Sequence, residues 1–64
     1  MTLREVWEQA GFESATEVAG RAGVSVPTVY NMLRKEPVQR RNMLKVCKVL
    51  DITEDMYRAL EAEK

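Results

Sequence analysis

Pro27, Asn31, Arg34 and Lys35 fall on one arc of a helix when Val29 is turned inward, at about 100° per residue. Thr28 and Tyr30 flank that arc, and no acid stands on it. An amide, two hydroxyls and two cations on one face offer hydrogen bonds and positive charge, which suit an anionic partner. Other chemistry is poorly supplied. The chain has no histidine and a single cysteine, Cys47, so no internal disulfide can form and nothing stands ready to activate the thiol. Cys47 is therefore expected in the core. A zinc site of carboxylates alone runs against that metal's preference for Cys and His. Gly11, Gly20 and Gly23 make no phosphate-cradling loop, and no acid pair is set in a predicted pocket. The sequence argues against an enzyme, and it indicates no catalytic residue, cofactor, metal or small-molecule ligand.

The elements that must hold this face can be read from their ends. The 64 residues suffice for one domain, residues 1–64, with a thin core. Five helices are predicted and no strand. The first covers residues 3–10, with Thr2 and Glu5 spaced as a capping box and Gly11 as its stop. Leu3, Val6, Trp7 and Ala10 form its buried stripe. The second starts after Ser14, with Glu17 completing another box, and stops at Gly23. Its stripe of Ala15, Val18, Ala19 and Ala22 is small-sided, so a neighbour can approach closely. Gly20 is read as helping that approach. Ser25 caps the third helix, residues 26–35, with Pro27 in its first turn and Glu36 and Pro37 ending it. The fourth, residues 39–50, carries Met43, Val46, Cys47 and Leu50 and is expected at the centre of the core. Thr53 caps the last, residues 54–62.

Net charge is zero, yet the charges are segregated. Residues 34–48 hold six basic side chains against Glu36 alone, while acids outnumber bases on either side. One basic segment between two acidic ones fits a molecule with one face for an anion. The first ten residues mix charges into the apolar positions, which fits neither a signal peptide nor a membrane span. With the lone thiol, this predicts a soluble cytoplasmic protein with no membrane partner.

Residues 15–34 read ATEVAGRAGVSVPTVYNMLR. A helix stops at Gly23, two residues follow, and a new helix begins, so the two must cross steeply. Ala19 must then be small, Gly23 must accept a left-handed conformation, and Val29 must plug the angle between the helices. Ala-x3-Gly-x5-Val with AGVSVPTVYNML resembles the helix-turn-helix of phage repressor and Cro-like regulators, and it also looks like the DNA-reading headpiece of the LacI family. RRNMLKVCKVLDIT is similar to the fourth helix and following turn of repressor-like domains. The resemblance implies an all-α, compact five-helix lambda-repressor-like domain with the motif in helices 2 and 3.

It also implies roles. The start of helix 26–35 would meet base edges in the major groove of double-stranded DNA. Val26, Pro27, Thr28 and Asn31 become the base-facing set. Asn31 can read adenine with two hydrogen bonds, and Val26, Pro27 and the Thr28 methyl can touch thymine methyls. Ser25, Tyr30, Arg34 and Lys35 would hold the DNA backbone, although Tyr30 has an alternative place against the core. Arg40, Arg41 and Asn42 open the fourth helix, where exposed N–H groups suit a phosphate. Ala15 stands where such domains often carry a DNA-contacting glutamine, which passes that contact to Thr16. Glu13, Glu17 and Glu36 near the expected face weaken phosphate attraction. The expected function is a repressor or Cro-like regulator in a bacterial or phage-infected cell, dimeric on a palindromic operator. Ile52, Met56, Tyr57 and Leu60 would form the homodimer surface, unless all four are core. The other reading is a helix-turn-helix scaffold for protein contact, of antirepressor or antitoxin-like kind, which zero net charge and the acidic ends favour.

Overall fold

The computed structural model describes residues 1–62. Five helices follow in order: α1 (Leu3–Gln9), α2 (Ala15–Ala22), α3 (Val26–Leu33), α4 (Arg40–Leu50) and α5 (Glu54–Ala62). No strand occurs among the described residues, and the fold is an all-α helix-turn-helix domain.

The helix starts follow the capping chemistry. The Glu5 N–H donates to Thr2 Oγ1 at 3.2 Å and the Thr2 N–H donates to Glu5 Oε1 at 3.1 Å, so α1 opens on a complete capping box. Ser14 accepts from the Glu17 N–H at 3.4 Å, which is only the forward half of the expected box. Ser25 accepts from the Thr28 N–H at 3.4 Å and Thr53 from the Met56 N–H at 3.1 Å. α4 differs: its cap, Gln39, makes no side-chain capping bond.

The helix ends depart more from expectation. α3 stops at Leu33, two residues before the expected limit at Lys35. Lys35 itself adopts a left-handed φ of 64°. Its N–H donates to the Met32 carbonyl at 3.1 Å, and the Glu36 N–H reaches back to the Asn31 carbonyl at 2.8 Å. These two bonds close a Schellman turn, which satisfies the last carbonyls before Pro37 is reached. Asp51 ends α4 in the same left-handed region, at φ 59°.

Val18, Val29, Met32 and Val46 are the largest fully buried side chains. Trp7, Ala15, Ala19, Met43, Cys47 and Leu50 surround them. α2 packs on both α3 and α4, and α5 closes against α4. The Cys47 thiol donates to Met43 Sδ at 3.6 Å, and burial pushes its pKa up, so it is a packing residue. Gly20 does not serve close packing. It is exposed, and a Cβ there would meet nothing within 4 Å.

Candidate nucleic-acid interface

The turn between α2 and α3 sets the site. Gly23 sits at φ 74° and ψ 33°, and its N–H and that of Val24 both donate to the Ala19 carbonyl, at 2.9 and 3.1 Å. A residue with a Cβ is disfavoured in this conformation. Ser25 then restarts the helix at once. Ala19 is buried, which lets α3 cross α2, and Val29 is fully buried, which fixes the rotation of α3. That rotation leaves Pro27, Tyr30 and Arg34 exposed, with Val26, Thr28 and Asn31 half-buried. The outward face of α3 carries no acid.

Residues 2–55 match the family model of the Cro/C1-type HTH DNA-binding domain. The chain belongs to that family. No curated protein and no solved structure matches it significantly. As a Cro/C1-type domain it is a DNA-binding regulator domain, and the match spans α1 to the start of α5, beyond the motif alone.

The hydrogen bonds around α3 show which groups are already engaged. The Ser25 and Thr28 hydroxyls lie 2.8 Å apart, which ties Thr28 to the cap. Arg34 Nη2 donates to Asn31 Oδ1 at 2.7 Å, and Arg34 Nε donates to Glu36 Oε1 at 3.0 Å. Tyr30 is 41% exposed and does not enter the core. It lines a hollow of about 200 Å³ with Arg4, Trp7, Glu8, Glu13, Ser14 and Ala15 at the start of α2. Two acids, Glu8 and Glu13, therefore share that hollow with it, beside the Arg4 cation. Ala15 is buried, so the first position of the motif offers nothing to a ligand, whereas Thr16 beside it is exposed.

At the start of α4 the structure separates residues that the sequence grouped. Arg40 is drawn into a two-bond pair with Glu54 on α5, at 2.8 and 3.3 Å. That hydrogen-bonded pairing raises the pKa of Arg40 and holds the Glu54 carboxyl below its usual range. Arg58 adds a third bond to Glu54 at 3.4 Å and pairs with Glu61 at 3.2 Å. Arg41, Lys45 and Lys48 are exposed and form no ion pair with another described residue. Asn42 is half-buried beside them.

The expected self-association surface needs correction. Tyr57 is a core residue, 2% exposed, because α5 turns it inward onto α4. Its hydroxyl is buried with no hydrogen-bond partner among the described residues, and burial pushes its pKa up to about 12. Ile52 and Leu60 are partly buried against the core, and only Met56 is largely exposed, at 51%. Three contributors carry no signal in the sequence pattern. Phe12 and Val38 pack on the core from loops, where no periodicity marks them, and Glu54 meets Arg40 across 14 residues.

Proposed function

We propose that the chain is a sequence-specific regulator of transcription, repressor or Cro-like, that reads an operator in double-stranded DNA with α3. The acid-free outward face of α3, anchored by buried Val29, carries this reading. Val26, Pro27 and Thr28 in its first turn, with Asn31 one turn further on, meet base edges. Thr16, Ser25, Tyr30, Lys35 and Asn42 hold the DNA backbone, and Arg34 adds to them only through the N–H groups that Glu36 and Asn31 do not use. Arg41 is the principal cation at the start of α4, because the Arg40 guanidinium is already bound to Glu54. The uncapped N–H groups of α4 favour a phosphate at the same place.

A neutral monomer gains little from phosphate neutralisation. Two copies, with their α3 helices about 34 Å apart along one face of the duplex, double the contacts. Met56, with Ile52 beside it in a shallow hollow of mixed polarity that Met1, Val49, Gln9 and Asp51 also line, is the self-association patch that this needs. The protein works where such operators lie, in the cytoplasm of a bacterium or a phage-infected cell.

Selection from a random-sequence DNA pool at two salt concentrations tests the proposal. Enrichment of a palindrome with steep salt dependence is the expected result. No enrichment, and no binding at low salt, would overturn it. It would also turn attention to a protein partner for the acid-lined hollow beside Tyr30.

A further inference from the structure

Asn31 is the one amide on the outward face of α3, and an amide alone is an indiscriminate reader. Rotated one way it donates to a base, and rotated the other way it accepts. We infer that Glu36 and Arg34 set which of the two Asn31 presents, so that Glu36 is a specificity-determining residue that never touches DNA. The inference rests on the DNA-reading function proposed above.

The arrangement begins in the backbone. The left-handed turn at Lys35 brings the chain back over the last turn of α3, and the Glu36 N–H donates to the Asn31 carbonyl at 2.8 Å. The Glu36 carboxylate thereby lies within reach of the Arg34 guanidinium. Its Oε1 accepts from Arg34 Nε at 3.0 Å, while Arg34 Nη2 donates to Asn31 Oδ1 at 2.7 Å. A guanidinium is planar with its donors in a fixed fork, so holding Nε fixes where Nη2 points. One lone pair of Asn31 Oδ1 is thus taken by a cation before DNA arrives, which sets the turn of the amide and leaves Nδ2 as the donor available to the groove.

This has a definite consequence for readout. Nδ2–H requires an acceptor, which the major groove offers at purine N7, guanine O6 and thymine O4. Cytosine presents only its N4 donor there, which Nδ2 cannot pair with, and turning the amide to put Oδ1 in the place of Nδ2 would break the Arg34 bond. Glu36 also neutralises Arg34 locally, which reduces attraction to any DNA whatever its sequence. Glu36 therefore lowers indiscriminate binding and sharpens the choice made at Asn31.

The first test is on the free protein. Glu36→Ala should shift the Asn31 side-chain amide and Arg34 Nε–H resonances, with the backbone resonances of α1 and α2 unmoved. The second test is on DNA. Sites are selected from the random pool by wild type, Asn31→Ala, Glu36→Ala and Glu17→Ala. The base pair whose preference Asn31→Ala erases marks the position that Asn31 reads. At that pair, Glu36→Ala should reduce discrimination against cytosine about tenfold, while other positions keep theirs. Glu17→Ala, which removes an acid without touching Arg34, should leave that preference unchanged. Unmoved Asn31 and Arg34 resonances in Glu36→Ala would overturn the inference, and so would an unchanged preference at the Asn31 position. A wild type that selects no sequence while the resonances do shift would instead overturn the DNA-reading function on which the inference rests.

Discussion

Gly20 and Gly23 lie three residues apart, and alanine should act on them with opposite signs. Neither site is crowded, since a Cβ at either would meet nothing within 4 Å. Sterics with neighbours therefore drop out and only the backbone decides. Gly20 lies inside α2 with helical neighbours on both sides. Replacing glycine by alanine in a helix interior is worth about 1 kcal/mol of stability. Gly23 sits at φ 74°. Alanine in a left-handed conformation costs about 1–2 kcal/mol, partly offset by about 0.4–1 kcal/mol from a stiffer unfolded chain. The net is a loss of about 1 kcal/mol, so the two variants should differ by about 2 kcal/mol. In a domain of this size that separates their midpoints by roughly 10 °C. Urea and thermal unfolding followed by circular dichroism measure both. A lower midpoint for Gly20→Ala would mean that the outer face of α2 packs against something, such as a second copy. A neutral Gly23→Ala would mean that the turn between α2 and α3 does not need its left-handed residue.

The buried, unpartnered hydroxyl of Tyr57 makes Tyr57→Phe a stabilising change of about 1 kcal/mol, read from urea midpoints. Because the folded tyrosine has its pKa raised to about 12, it stays neutral while the unfolded one ionises. Wild type should therefore lose stability relative to Tyr57→Phe as pH rises from 10 to 12. Glu54 behaves oppositely. Its folded pKa is depressed, chiefly by the hydrogen bond from Arg40, so its contribution is present at neutral pH. Wild type should exceed Glu54→Gln in stability at neutral pH, and the gap should close as acid protonates the carboxylate. Ser25→Ala removes the cap of α3 and should cost about 1 kcal/mol, measured by thermal unfolding.

Much of this architecture was legible because short helices declare their ends. Thr2, Ser14, Ser25 and Thr53 each stand one residue before a helix and accept from the backbone N–H three residues on. The crossing of α2 and α3 was legible from Ala19, Gly23 and Val29, because steric demand leaves few residue types at those positions. The end of α3 was not. Proline at 37 is a visible stop, whereas a lysine in a left-handed turn has no composition signal. The fate of Tyr57 was also closed to sequence reasoning. An amphipathic helix shows its apolar side, but whether that side meets the core or solvent depends on the angle at which α5 packs.

The site divides along the same line. The outward face of α3 follows from spacing within one helix, and Asn31 with Arg34 are neighbours on it at i, i+3. The engagement of Arg34 by Glu36 depends on the turn at Lys35, and that of Arg40 by Glu54 on the docking of α5. Charge counts along the chain treated Arg40 and Arg41 as equivalent. Tertiary structure makes them different, with one paired and the other exposed without an ion-pair partner among the described residues.

If α3 chooses bases while the start of α4 holds the backbone, one competition titration separates the two roles. Asn31→Ala and Arg41→Ala are measured by fluorescence anisotropy on the selected operator and on random duplex, across a salt series. Asn31→Ala should lower discrimination between the two by about 1–3 kcal/mol and leave the salt slope alone. Arg41→Ala should weaken both DNAs alike and flatten the slope by about one. Unchanged binding in both variants would contradict the assignment of this face to DNA.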